Sequence, residues 1–178
     1  MKSVLTAALL AVAAAPAVTI GQTTQKHPQE SIEGVMTELY ASVTREHGKP
    51  FAWERLRPIM LPTAIMIPQA RQRGGKLETM NTEQFIEWID TGWKPVICTD
   101  RDRGFFEKQI SMVVNQYGDI ASVFSTYEKG PFEPRGIQGR GINAVQLVRT
   151  GGRWYIASIV WDEENTAGPL PPQYGGKQ

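Results

Sequence analysis

The sequence predicts one α+β domain in which N-terminal helices pack on a mainly antiparallel sheet. Its 178 residues are enough for one hydrophobic core and few for two domains. Apolar residues recur every three to four positions through the first half, and from Phe105 onward they alternate with a period of two. This change of period predicts helices followed by strands, and the short turns between the strands predict antiparallel pairing.

Three helices are predicted in the first half of the chain. They begin at Pro28, Pro50 and Asn81 and end near Gly48, Pro62 and Gly92. One face of the first helix carries Ile32, Val35, Met36, Leu39, Tyr40 and Val43, which predicts that this face is part of the core. Asn81 followed by Gln84 is typical of a capping box at the start of the third helix.

Six strands are predicted. Residues 63–67 form the first, and the Gly74–Gly75 turn would return the chain through residues 76–79 as its hairpin partner. Four longer strands follow at 105–116, 120–128, 141–149 and 154–161, paired antiparallel as first with second and third with fourth. Both alternating sets in residues 120–127 contain apolar side chains, so we expect the helices to cover one sheet face and a second subunit the other.

The composition excludes several classes of function. Hydrophobic residues make up 41% of the chain and charged residues 21%, which excludes wholesale disorder and a multi-span membrane protein. Lys and Arg total 19 against 18 Asp and Glu, a net charge of +1. Since there is no basic excess to neutralise a phosphate backbone, we expect no nucleic-acid partner.

The N-terminus predicts a secretory signal peptide over residues 1–21. Lys2 supplies a positive start, a small apolar run extends from Val4 to Val18, and polar residues follow Gly21. A permanent membrane anchor is the weaker alternative because the run is short and rich in alanine. We therefore expect an exported protein, periplasmic or secreted, that is not bound to the membrane after cleavage.

The rest of the chain is predicted to have three parts. Residues 22–30 form a flexible leader, residues 31–164 the domain, and residues 165–178 a disordered tail rich in Pro and Gly. Cys98 is the only cysteine, which excludes an intramolecular disulfide. We expect Cys98 to be buried and assign it no chemistry.

Several local motifs accompany this order of elements. They are Trp53-Glu54-Arg55-Leu56-Arg57, Pro62-Thr63-Ala64, Val123-Phe124-Ser125-Thr126-Tyr127-Glu128, Arg140-Gly141-Ile142-Asn143, Gly152-Arg153-Trp154-Tyr155-Ile156 and Trp161-Asp162. Together, the motifs and the element order resemble those of the nuclear transport factor 2-like (SnoaL-like) superfamily, in particular uncharacterised bacterial members. The resemblance covers residues 31–164. It implies a cone-shaped fold, a pocket between sheet and helices, and a homodimer across the sheet. The superfamily includes isomerases, dehydratases, cyclases and binding modules, so the resemblance leaves the activity open.

Motifs for several common chemistries are absent from the sequence. It contains no H-E-x-x-H, C-x-x-C, G-x-S-x-G or phosphate-binding Gly-Lys-Ser/Thr motif, so zinc hydrolysis, thiol exchange, serine hydrolysis and nucleotide cleavage lack their usual residues. We expect no cofactor and no metal. The charged run at residues 100–103 is predicted to be an exposed loop whose charges pair with one another. His47 is predicted to complement the dipole at a helix end.

Glu107 and Tyr127 are the candidate catalytic residues. Glu107 alternates with Gln109 and Ser111, and if this face lined the pocket, desolvation would raise the pKa of Glu107 and suit it to proton abstraction. The alternative is that Glu107 faces solvent, because strand periodicity does not say which face is inside. Tyr127 would donate a hydrogen bond to a developing oxyanion, or would be an amphipathic core residue.

Asn143, Tyr155 and Trp161 are the candidate ligand-binding residues, Asn143 as amide donor and acceptor and Trp161 as an apolar wall.

These candidate residues are compatible with two main functions. The first is an exported domain that binds a small apolar molecule. The alternative is a cofactor-free acid/base enzyme of the isomerase, dehydratase or cyclase type, acting on an apolar carbonyl or hydroxyl compound. A partner-binding module that uses the outer sheet face and the tail is a third possibility.

Overall fold

The computed structural model describes residues 27–69, 77–95, 99–133 and 136–175. The predicted signal peptide, the Gly74–Gly75 turn and Cys98 lie outside the described residues. Within them, no helix is both long and apolar enough to cross a bilayer.

The helices of the described chain are short and lie mostly before the sheet. They are α1 (Ile32–Ser42), α2 (Trp53–Leu56), α3 (Thr82–Trp93) and α4 (Glu164–Ala167). α1 ends at Ser42 rather than near Gly48, because Arg45 is drawn into extended pairing with Phe105 through two backbone hydrogen bonds of 2.8 Å. His47 therefore lies in an exposed loop and does not cap the helix, contrary to the prediction.

The predicted capping box of α3 is present. Asn81 Oδ1 accepts a hydrogen bond from the Gln84 backbone N–H at 2.9 Å, and Gln84 Oε1 accepts one from the Asn81 N–H at 2.9 Å. The helix continues through Gly92 to Trp93, one residue past its predicted end. Two of the backbone N–H groups at the start of α3 are thus satisfied by side chains.

We expect Asn81→Ala to lower the free energy of unfolding by about 1 kcal/mol, because it removes the cap acceptor and leaves the Gln84 N–H to water. Urea denaturation followed by circular dichroism measures the change. Glu87→Ala, an exposed substitution within the same helix, is the matched control. An equal effect of the two substitutions would contradict a role for the capping box.

Five strands form one sheet in the order β1-β5-β4-β3-β2. The strands are β1 (Met60–Ile67), β2 (Phe106–Tyr117), β3 (Ile120–Gly130), β4 (Gly139–Thr150) and β5 (Arg153–Glu163). The two predicted long hairpins, β2 with β3 and β4 with β5, are confirmed. The α+β class, with helices before a mainly antiparallel sheet, is confirmed as well.

The predicted hairpin between residues 63–67 and 76–79 is wrong. β1 pairs in parallel with β5. Where the structure describes the returning chain, from residue 77 onward, a single antiparallel bridge joins Met66 and Met80, with hydrogen bonds of 2.8 and 2.9 Å. The return is short because Asn81 already caps α3 one residue later. β5 is therefore the strand that pairs with β1 along its length.

β2 contains a bulge at Ile110. Gln109 pairs with Tyr127 and Ser111 pairs with the next residue, Thr126, so Ile110 has no partner of its own. The extra residue reverses the alternation of side chains. Glu107 and Gln109 share the inner face, which packs on the helices, whereas Ser111 lies on the outer face, contrary to the predicted alternation.

Both ends of the predicted domain continue into packed structure. The Gln29 side chain is buried, and its Nε2 donates to the carbonyl oxygens of Pro58 at 3.0 Å and Trp154 at 3.2 Å. In the predicted disordered tail, the Tyr174 ring stacks on Phe124 with centroids 5.1 Å apart. The prediction of disorder is thus wrong for residues 165–175. Despite their Pro and Gly content, they pack on apolar side chains of the outer sheet face.

The charged run at residues 100–103 also differs from its prediction. Asp102 is buried and binds the buried guanidinium of Arg45 through two hydrogen bonds, of 2.6 and 3.0 Å. Its carboxylate also accepts from the N–H groups of Gly48 at 2.7 Å and Gly104 at 2.9 Å. Asp102 therefore links the α1–α2 loop to the start of β2 instead of pairing with its sequence neighbours.

Candidate functional site

A cavity of about 190 Å³ lies between the inner face of the sheet and the helices. Its apolar walls are largely aromatic, and its polar groups come from the sheet. The aromatic walls are Phe51, Trp53, Phe85, Trp88, Phe105 and Trp161. The polar groups are Glu107, Tyr127, Lys129, Asn143 and Glu163. An apolar cavity with a few grouped polar side chains is the usual form of a small-molecule site.

Strand register brings the polar groups together. Glu107 on β2 is directly opposite Lys129 on β3. Tyr127 on β3 is opposite Gly141 on β4, which is in turn opposite Glu163 on β5. All these positions belong to the inner face at one end of the sheet, so residues more than fifty positions apart in sequence share one site.

Glu107 is half-buried, and its Oε1 accepts a hydrogen bond of 3.1 Å from Asn143 Nδ2. Burial raises the pKa of Glu107 to about 7, and the Glu163 carboxylate adds to the rise, while Asn143 and Lys129 oppose it. The carboxyl therefore changes charge near neutral pH. Of the two alternatives predicted for Glu107, the structure shows the first, in which its side chain faces the pocket and not solvent.

Tyr40 and Ser125 extend this hydrogen-bond network, and the sequence analysis did not select either as a site residue. The Tyr40 hydroxyl lies 2.7 Å from Ser125 Oγ and accepts a hydrogen bond of 3.2 Å from Asn143 Nδ2. The two N–H bonds of Asn143 are thus directed at Tyr40 and Glu107. A tyrosine on the apolar face of a helix was the available signal, because its buried hydroxyl needs a partner.

Tyr127 is buried, and its hydroxyl makes no hydrogen bond to any of the described residues, although the side chain lines the cavity. Burial raises the pKa of Tyr127 well above its usual value, and the Glu107 carboxylate raises it further, so the hydroxyl stays protonated and can donate. Gly141 makes this position possible, since a Cβ there would lie 2.5 Å from the Tyr127 hydroxyl oxygen.

We expect Gly141→Ala to lower the free energy of unfolding by about 1–3 kcal/mol and to displace the Tyr127 ring, because the new methyl group would also meet the Asp162 carbonyl oxygen at 2.5 Å. Thermal unfolding and the ring resonances of Tyr127 report the two effects.

Gly139→Ala is the matched control in the same strand, because its new methyl group would meet only the flexible Lys129 side chain, at 3.3 Å. If Gly141→Ala were no more destabilising than Gly139→Ala, the close approach of Tyr127 to β4 would be contradicted.

Lys129 and Glu163 form an ion pair beside Tyr127. Glu163 is buried, and its backbone N–H donates to Gln69 Oε1 at 3.1 Å. This pair was not predicted from the sequence, because the two residues are on different strands. They meet because both strands pair with β4 near Gly141. The ion pair places one positive and one negative charge at the cavity.

Four of the five predicted site residues line the cavity, namely Glu107, Tyr127, Asn143 and Trp161. Tyr155 does not, because it alternates with the buried Trp154 and Ile156 and pairs with Val148 on the outer face. The placement of Tyr155 as a ligand-binding residue is therefore wrong.

Glu128 and Asp162, two other acidic residues of the strands, also lie away from the cavity. Asp162 Oδ1 instead accepts hydrogen bonds from the Glu163 N–H at 2.8 Å and from Thr166 Oγ1 at 2.9 Å, at the start of α4. Among the residues that the structure describes, no three His, Cys, Asp or Glu side chains group as metal ligands.

The chain has an α+β fold of the cystatin-like kind, with helices on one face of a curved, unclosed sheet of five strands. Comparison with solved structures agrees. A protein of unknown function with a cystatin-like fold from Nostoc punctiforme is 11% identical with a TM-score of 0.56, over 76% of this chain and 90% of that one. LinA is 10% identical with a TM-score of 0.52, over 72% and 80%.

A nuclear transport factor 2-like protein of unknown function from Silicibacter pomeroyi is 17% identical with a TM-score of 0.48, over 72% of this chain and 89% of that one. No protein-family model and no curated protein matches the sequence. The matches with TM-scores of 0.56 and 0.52 agree with the fold expected from the sequence, and at these identities a likeness shows the fold alone.

Proposed function

We propose that the protein binds a small, largely apolar molecule in the cavity between the sheet and the helices. The observation that supports this most directly is the cavity itself, whose aromatic walls enclose a few polar side chains at the sheet. An apolar protein cavity of roughly 150 Å³ accommodates benzene, so about 190 Å³ suits a compact molecule. Asn143, Glu107 and Tyr127 would orient its polar group.

Native mass spectrometry of the purified protein tests this proposal. We expect a discrete extra mass that disappears under denaturing conditions, and that Trp161→Ala loses because it removes an aromatic wall. Val160→Ala is the matched control, since Val160 is the neighbouring residue on the outer face and is 42% exposed. A purified protein that carries no extra mass and takes up no compound from a library of small apolar molecules would refute the proposal.

Acid/base catalysis is the second candidate, and the state of Glu107 favours it. A carboxyl with a pKa of about 7 is matched to proton transfer near neutral pH. Glu107 would take a proton from a carbon next to a carbonyl group, and the protonated Tyr127 hydroxyl would donate to the oxygen on which negative charge develops. The pair would then support isomerisation or elimination without a cofactor.

Glu107→Gln separates the two candidates, with the compound identified by mass spectrometry as the substrate. An enzyme would lose turnover by at least about a hundredfold and still bind the compound, since general-base catalysis contributes about that much or more. A binding protein would show a modest change in affinity and no turnover in either form.

We also propose that the protein is exported and forms a homodimer. The apolar run of residues 4–18 after Lys2 supports export, and apolar side chains on the outer sheet face, such as Ile65 and Val160, support a subunit contact. Mass analysis of the protein from the periplasm and the medium tests export. Light scattering of wild type and Val160→Asp tests the dimer, which we expect the substitution to weaken.

A further inference from the structure

The aromatic rings around the cavity meet at steep angles. The Phe85 ring is inclined by 78° to Trp53 and by 82° to Trp161, with centroids 6.1 and 6.0 Å apart. Phe51 stacks on the Trp53 ring, with centroids 4.9 Å apart. All four of these rings line the same cavity. The electron-rich faces of aromatic rings attract cations.

The charges at the cavity leave one carboxyl group without a counterion. Lys129 is bound to Glu163, so that these two charges compensate each other. Glu107 has an amide partner, Asn143, and among the described residues no cationic group lies within ion-pair distance of it. Ionised Glu107 therefore gives the site a net negative charge beside aromatic walls.

The groups that face Glu107 from the surrounding elements do not cancel this charge. They are Tyr40 of α1, Tyr127 and Lys129 of β3, Asn143 of β4 and Glu163 of β5. Burial raises the pKa of both tyrosines, which keeps them neutral. Asn143 is uncharged at any pH. A cationic ligand would supply the charge that Glu107 lacks.

We propose that the ligand of the cavity is a compact organic cation of the alkylammonium class, held by the aromatic walls and by Glu107 as its counterion. The inference rests on the proposed ligand-binding function and specifies its chemical class. Trimethylammonium and similar groups are apolar at their surface and carry a diffuse positive charge, which suits aromatic faces next to a carboxylate. The volume of about 190 Å³ limits the ligand to a few carbon atoms beyond such a group.

Choline and its neutral carbon isostere, in which a tert-butyl group replaces the trimethylammonium group, form a matched pair of probes. We expect isothermal titration calorimetry on the wild-type protein at about pH 8 to show choline binding at least about tenfold more tightly, because Glu107 is then ionised. At about pH 5.5 the preference for choline should disappear, since Glu107 is then protonated.

Glu107→Gln should abolish the preference for choline at about pH 8 while the neutral isostere still binds, and Val160→Ala should change neither affinity. Equal or tighter binding of the isostere to wild type would overturn the cation proposal and leave the ligand-binding proposal standing. Binding of neither probe would also overturn it, while the co-purified mass would still decide the ligand-binding proposal on its own.

Discussion

Asp102→Ala is expected to lower the free energy of unfolding by about 3–5 kcal/mol, because it leaves the buried Arg45 guanidinium without its carboxylate. Both side chains are fully shielded from solvent, so water cannot replace the lost partner. The Gly48 and Gly104 N–H groups lose their acceptor at the same time. Guanidinium chloride denaturation measures the loss.

Arg57→Ala is the control for this experiment, because it removes the exposed ion pair with Glu83, in which the two side chains are 48% and 64% exposed. Exposed pairs contribute at most about 1 kcal/mol, so the two substitutions should differ clearly. The double variant Arg45→Met, Asp102→Leu should recover part of the loss, since neither side chain then leaves a charge unpaired. A loss for Asp102→Ala no larger than that for Arg57→Ala would show that Arg45 reaches water.

The sequence predicted the fold class because the relevant signals are local. Each signal depends on a few neighbouring residues and has its counterpart in the structure. The signals are the helical periodicity within α1, the Asn81 capping box and the glycine turns between strands. The parallel pairing of β1 with β5 was not predictable in this way, since it joins segments about ninety positions apart in sequence. Strand order in a sheet depends on such distant contacts.

The candidate site was predicted only in part, because some of its features depend on contacts between residues that are distant in sequence. Asn143 and Trp161, which were selected by the chemistry of their side chains, line the cavity, but the bulge at Ile110 displaces Ser111 from the face of Glu107. The extra residue of a bulge cannot be recognised from the alternation of apolar and polar residues along a strand. Tyr40 was missed because its hydroxyl acquires partners only when α1 packs on the sheet.

Local composition was misleading where tertiary contacts override it. The Pro and Gly content of residues 165–175 favours disorder, yet Thr126 Oγ1 donates a hydrogen bond of 2.7 Å to the Tyr174 carbonyl oxygen, and Leu170 is buried. Asp102 lies among charged neighbours and still binds Arg45, fifty-seven positions earlier. In both segments the partner lies far away in sequence, and a local pattern does not contain it.

Glu107→Gln is expected to make the stability of the protein less dependent on pH. The pKa of Glu107 rises from 4.5 in the unfolded chain to about 7 in the folded protein, so the folded state holds an extra proton between these values. Wild type therefore loses stability as the pH rises through this window, by up to about 3 kcal/mol, and the loss is constant above it. Glutamine does not ionise, so the variant should gain this amount relative to wild type between about pH 4 and pH 8.

Urea denaturation of both proteins at several pH values measures the difference. Glu87→Gln, on the exposed face of α3, is the control, and because it retains Glu107 it should keep the pH dependence of wild type. A difference between Glu107→Gln and wild type that stayed constant across the window would mean that Glu107 titrates like an exposed carboxyl. The acid/base candidate would then lose its basis, since a carboxyl of ordinary pKa is a weak base near neutral pH. A difference that grows as the pH rises would instead show that the pKa of a carboxyl beside the aromatic cavity is raised at a cost in stability, as is common for groups in functional sites.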